Sequence, residues 1–101
     1  MLMQPVFYKI THRRYIDDTD APTETYLSVH NTNTETRPWY CIQIVRFKTC
    51  SLPTITIAHD GKFDIADYCP NDGKSEQIIK EEYMKAIDEV SRRINNYLSY
   101  Q

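Results

Sequence analysis

The sequence predicts an α+β fold: an antiparallel sheet of four to five strands, containing one tight Asp-Gly hairpin, with a single C-terminal amphipathic helix packed on one face. Three observations carry this. The 101 residues hold 11 Ile, 10 Thr and 12 aromatic residues against only four Leu and four Ala, a balance that suits the pleated, half-buried surface of strands. Through the first two thirds of the chain, apolar residues come in short, strand-length runs broken by turn-forming clusters. From Ile79 onward they recur at helical spacing.

Residues 6–16 (VFYKITHRRYI) read as a long strand, with Val6, Tyr8, Ile10 and Ile16 on one parity and Lys9, Thr11 and Arg13 on the other. The acidic stretch Asp17-Asp18-Thr19-Asp20-Ala21-Pro22 is a loop by composition. Residues 24–30 (ETYLSVH) form a second strand, and 31–38 (NTNTETRP) a polar connection whose Asn and Thr side chains compete with strand ladders for backbone hydrogen bonds. Residues 39–49 (WYCIQIVRFKT) give the strongest strand signal. Trp39, Cys41, Val45 and Phe47 occupy one face, and Tyr40, Ile42 and Ile44 the other. A strand apolar on both sides is covered on both sides.

Thr54–His59 and Lys62–Tyr68 flank Asp60-Gly61. The pair predicts a two-residue type I′ hairpin, because Asp-Gly tolerates positive φ at both turn positions. After a turn at 70–74, the residues Ile79, Tyr83, Ala86, Ile87, Val90, Ile94, Tyr97 and Leu98 fall on one helical stripe. Glu81 stands four residues before Lys85, Asp88 before Arg92 and Glu89 before Arg93, in the favourable order. The spacing predicts a helix over about 76–98. In the alternative, Glu76–Ile79 is a short strand and the helix starts at Lys80. The length predicts a single domain over 1–101, with the sheet in about 5–69.

Composition narrows the function. A net charge of −2 argues against bulk electrostatic affinity for nucleic acid. No run approaches the roughly 20 apolar residues of a membrane helix, and Met1–Pro5 lacks the basic end and apolar stretch of a secretory signal. Three cysteines without a C-x-x-C pair (Cys41, Cys50, Cys69) point away from a disulfide framework and towards a reducing cytoplasm.

No catalytic motif stands out, and the expectation is a protein without enzymatic activity, cofactor, metal or small-molecule ligand. His12, His30, His59 and the three cysteines lack the paired spacing of a zinc site. A Cys–His nucleophile pair is formally available, which leaves a small enzyme with an unrecognised Cys/His site as the third reading. Asp17, Asp18 and Asp20 lack the Gly and distal Glu of a calcium loop. Two glycines in the whole chain leave no phosphate-cradling loop.

Architecture then poses a surface problem. One helix covers one face of the sheet, and nothing in this element order is left to cover the other. The expectation is therefore a protein-interaction module whose aromatic-rich sheet face, lined by Tyr8, Tyr15, Tyr26, Trp39, Tyr40 and Phe47, binds a protein partner or a second copy as a homodimer. The alternative is a second small core closed by the loops at 17–23 and 31–38. Small, mildly acidic, Tyr-rich domains without catalytic motifs also fit the profile of phage or mobile-element accessory proteins that bind and inhibit a host protein. A second function class is a dimeric single-stranded nucleic-acid-binding protein, in which Lys9, Arg13, Arg14, Arg37, Arg46 and Lys48 follow the backbone while interleaved aromatics stack on bases. In element order alone, a sheet followed by a C-terminal helix, the chain resembles dimeric single-stranded DNA-binding domains of the Whirly type.

Overall fold

The computed structural model describes residues 4–12, 23–31, 39–48, 51–69 and 73–99. The elements follow in the order β1 (Val6–His12), β2 (Thr23–Asn31), β3 (Tyr40–Lys48), β4 (Ser51–Asp60), a 3₁₀ turn (Ile65–Asp67), β5 (Lys74–Ile78) and α1 (Lys80–Leu98). The five strands form one sheet in the spatial order β4-β3-β2-β1-β5, and every neighbouring pair is antiparallel. A five-stranded antiparallel sheet with one C-terminal helix packed against it is the α+β fold the sequence predicts.

Register sorts the side chains onto two faces. Phe7 stands opposite Ser28, Ser28 opposite Gln43 and Gln43 opposite Ile57, with Ile78 on the other side of Phe7. Paired residues share a face, and successive residues alternate. On this first face Phe7, Val45 and Ile78 pack with Tyr83 and Val90 of α1, and half-buried Tyr26, Phe47, Ile87 and Ile94 extend the cluster. The helical stripe thus buries its middle, while its two ends, Ile79 and Tyr97-Leu98, run off the sheet into solvent. On the exposed side of α1, Glu89 binds Arg93 at 2.9 Å and Arg92 at 2.6 Å, so Arg92 turns to Glu89 rather than to Asp88.

The second face is also a core. Ile10, Leu27, Val29 and Ile42 are buried there, with Tyr8, Tyr40, Ile44, Phe63, Ile65, Tyr68 and Cys69 packed around them. Ile10, Leu27 and Ile42 on this face, and Val45 on the other, have no solvent exposure. Each such side chain contributes about 1.5–3 kcal/mol relative to an exposed one.

The cover comes from an element the sequence reading placed elsewhere. Residues 62–68 are not a strand, and Asp60-Gly61 is not a type I′ hairpin: Gly61 lies outside the positive-φ region that turn requires. Instead Asp64 caps a 3₁₀ turn, its side chain accepting a hydrogen bond from the Ala66 N–H at 3.0 Å. Phe63, Ile65 and Tyr68 then drop onto the second face. Topology explains why. β4 and β5 occupy opposite edges, four strand intervals or roughly 19 Å apart. The connection must cross one face, and α1 holds the first. The expectation of an uncovered second face is overturned on the same ground. Of the loops at 17–23 and 31–38, offered as the alternative cover, Thr23 and Asn31 belong to β2 and the rest lies outside the described residues.

A second correction concerns the start of the helix. Residues 74–78 pair with β1, Phe7 opposite Ile78 and Lys9 opposite Glu76, and α1 begins at Lys80, as in the alternative reading, rather than near 76. The sheet accordingly runs to Ile78 rather than ending near 69. Without β5, the outer backbone groups of β1 would be an unpaired edge. Five residues of ladder outweigh one more turn of helix, whose propensity gain is only tenths of a kcal/mol per residue. The expected strand residues 13–16 and turn residues 70–72 lie outside the described residues.

Two substitutions test the crossing segment. A Cβ at Gly61 meets no atom within 4 Å, so Gly61→Ala is expected to stabilise the fold by about 0.4–1 kcal/mol through the unfolded chain. In a type I′ turn it would destabilise instead, and urea denaturation distinguishes the two. Phe63→Ala is expected to lower stability by about 2 kcal/mol, because it uncovers Tyr8, Tyr40 and Tyr68 together. A loss below about 0.5 kcal/mol would show that the segment is not a working part of the second core.

Candidate functional site

The six aromatic candidates do not share a surface. Tyr8 and Tyr40 lie on the second face, half-buried around Phe63, whose ring centroid is 5.6 Å from that of Tyr8, 6.3 Å from that of Tyr40 and 5.6 Å from that of Tyr68. They are committed to the protein's own core. Tyr26 and Phe47 lie on the helix face, in edge-to-face contact at 5.8 Å. Trp39 immediately precedes β3 and is exposed. Tyr15 lies outside the described residues.

Beside the helix, Tyr26 and Phe47 join a lateral row of cations and rings. The Lys9 Nζ sits 5.7 Å from the Tyr26 ring, and the Arg93 guanidinium 5.4 Å from the Phe47 ring. Tyr26 donates its hydroxyl hydrogen bond to Glu24 at 2.8 Å. Burial, that hydrogen bond and the negative field of Glu24, Glu82 and Glu76 all raise the Tyr26 pKa. Lys9 therefore stands among carboxylates, a poor setting for a nucleic-acid phosphate. The other basic candidates do not join it. Arg46 points from the opposite face and is exposed. Lys48 closes β3 with its side chain outside the described set, as are Arg13, Arg14 and Arg37. The described residues gather no cationic, aromatic face of the kind single-strand binders use.

Register brings His30, Cys41 and His59 into one row across β2, β3 and β4 on the helix face. Spacing along the chain hid this. The side chains do not converge: among the described residues no three His, Cys, Asp or Glu groups are placed to hold a metal ion. Cys69 is half-buried in the second core. His12's side chain, Cys50 and the acidic loop of Asp17, Asp18 and Asp20 lie outside the described residues.

What the register does leave open is an edge. β4 is an outermost strand ten residues long, and an outer strand presents unpaired N–H and C=O groups. It carries no charged residue from Ser51 to Ala58. Its helix-face residues Ile55 and Ile57 are 38% and 61% exposed, although α1 packs against β4 as well as against β1, β2 and β3. The opposite edge differs. β5 has five residues, with Lys74 and Glu76 among them, and short, charged edges resist further pairing. The signal for β4 was present in the sequence as Thr54-Ile55-Thr56-Ile57-Ala58, an alternating β-branched run without charge. It passed unread because the hairpin expectation gave the run a partner on its outer side.

Within the helix-face core one polar contact ties helix to sheet. Tyr83, almost fully buried, donates to the Gln43 side-chain oxygen at 2.5 Å and packs on Phe7 with ring centroids 5.0 Å apart. Among the described residues no helix is long and apolar enough to cross a membrane. Compared with known protein families, curated proteins and solved structures, the chain matches none.

Burial pushes the Tyr83 phenol from 10.0 up to about 12. The unfolded phenol ionises near pH 10 while the folded one keeps its proton, so the folded state binds more protons in that window. Stability from this group is complete below pH 10 and is lost as the pH rises towards about 12. Tyr83→Phe is expected to cost about 1 kcal/mol at pH 7, by leaving the Gln43 oxygen without its donor. The same variant should lose less stability than the parent between pH 10 and 11.5 or so, with Tyr26 supplying a residual slope. Denaturation curves at the two ends of that range read the difference, and parallel pH profiles would refute it.

Proposed function

We propose that this chain is a non-enzymatic protein-interaction module that takes an extended protein strand onto the outer edge of β4. The single observation carrying this reading is the charge-free edge Thr54–Ala58 with Ile55 and Ile57 exposed on it. Strand addition supplies main-chain hydrogen bonds for affinity, and alternate side chains for selectivity. Here the alternate side chains on the helix face are two isoleucines, and those on the other face are Thr54, Thr56 and Ala58. The reading moves the interface from the aromatic face, which the protein covers with its own crossing segment, to the edge that nothing described covers. Three cysteines without close pairing fit a reducing compartment, and we place the protein in the cytoplasm.

Affinity capture with the parent chain and two variants tests this. Ile57→Lys puts a charge on the edge, and Met84→Lys puts one on the exposed side of α1. Both positions are exposed, so each should fold with stability within about 0.5 kcal/mol of the parent. Expected is one stoichiometric chain, foreign or an untagged copy of this protein, retained by the parent and by Met84→Lys and reduced about tenfold or more by Ile57→Lys. Equal recovery with Ile57→Lys, or no stoichiometric chain at all, would overturn the reading.

A further inference from the structure

Resting on the edge-strand reading and naming its occupant, we propose that the strand docking on β4 is β4 of a second copy. The pairing is antiparallel about a two-fold axis through Thr56, and it joins two five-stranded sheets into one of ten strands.

Symmetry restricts how β4 can pair with itself. Two antiparallel copies related by a two-fold axis perpendicular to the sheet keep their helices on the same side, and paired residues face the same way. The axis must then pass opposite a single residue. Centred on Thr56, the register sets Ile55 against Ile57 of the second copy, Ile57 against Ile55, and Thr54 against Ala58. Four isoleucines meet on the helix side and two threonines meet at the axis, the kind of β-branched pairing that stabilises cross-strand neighbours. Centred on Ile55, the same strand sets exposed Ile57 against Pro53, which is buried and lacks an N–H. Centred on Ile57, it sets Ile55 against His59, and Thr54 against Asp60. Only the Thr56 register sets both isoleucines against isoleucines, with neither a proline nor a histidine opposite them.

Charge separates the two edges of the sheet. β4 meets its copy over Thr54–Ala58 without a charged residue. β5 centred on itself would oppose Glu76 to Glu76, a like-charge pair that costs stability. One edge is short and charged, and the other is twice as long and uncharged over the stretch that would pair. The register also covers the side chains the lone chain leaves most anomalous: Ile57, 61% exposed in the middle of a strand, and Ile55, 38% exposed beside it. A chain of 12.0 kDa has a thin stability margin, and self-association adds to it.

Light scattering after size exclusion, together with site-directed cysteines, tests the register. The parent at roughly 100 μM should run at twice 12.0 kDa, and Ile57→Lys should weaken the dimer about tenfold or more. Thr56→Cys should form a covalent dimer under mild oxidation, since directly opposed residues bring Cα atoms within disulfide range. Ser75→Cys on the β5 edge should form none beyond the background of the parent. A monomeric parent at that concentration overturns the second copy as occupant. So does a dimer that Ile57→Lys leaves intact and Thr56→Cys does not trap. If the parent is monomeric but still captures a foreign chain that Ile57→Lys loses, the edge reading stands and only its occupant is wrong. If neither a second copy nor a foreign chain binds, both fail.

Discussion

The placement of β4 and β5 on opposite edges of one sheet governs the rest of this molecule. It obliges the connection between them to traverse the sheet, and α1 denies it one face. The traverse therefore falls on the other, where Phe63, Ile65 and Tyr68 seal Ile10, Leu27 and Ile42 from water. The same placement pairs β5 with β1 and launches α1 from that far edge. The helix then crosses the sheet, from the Tyr83–Phe7 contact over β1 to the Arg93–Phe47 contact over β3. Two cores, one on each side of β2 and β3, follow from a single topological fact.

Those cores differ in how they are specified. The helix-face core is carried by one amphipathic element and includes the buried Tyr83–Gln43 hydrogen bond. Such a bond fixes the rotation of the helix about its axis more sharply than apolar contacts do, because its geometry tolerates little displacement. The second core is closed by an irregular segment, and its specificity comes from ring packing about Phe63 and from the Asp64 cap that turns the chain inward. An irregular cover of this kind has few backbone hydrogen bonds to hold it, so side-chain burial is what retains it.

Most of the fold could be read from residues, and what could not has an identifiable cause. β2, β3 and the existence of the helix followed from alternation and from the stripe through Tyr83, Ala86 and Val90, because burial imposes the period directly. The apolar character of β3 on both sides correctly signalled two covered faces. The cover itself was misassigned. Phe63 and Ile65 alternate as a strand would, and Asp60-Gly61 mimics a hairpin turn, while the demand for a crossing arises from strand order, which periodicity does not encode. Residues 74–78 show the same limit. KSEQI carries little strand signal of its own, and only the open edge of β1 makes it a strand. The aromatic candidates were read as one surface, but Tyr8 and Tyr40 are half-buried on one face and Tyr26 and Phe47 on the other, since parity within a strand does not say which faces coincide across strands. The row of His30, Cys41 and His59 was invisible for the same reason.

The two edges then connect architecture to function. A sheet that closes neither into a barrel nor against a neighbour must deal with both outer strands. This chain shortens and charges one of them with Lys74 and Glu76, and leaves Thr54–Ala58 on the other uncharged and alternating. Had burial alone selected the β4 sequence, its side chains would face the protein's own cores. Ile57, however, lies mostly in water, so an intramolecular role does not account for an isoleucine there. The β-branched residues that make β4 a good strand against β3 are also those that make it a good template on its other side. An edge of this composition is a template for strand addition, and pairing with a defined partner is one way to control it. The asymmetry between the edges is thus the physical ground of the proposed association, independent of any chemistry the side chains could perform.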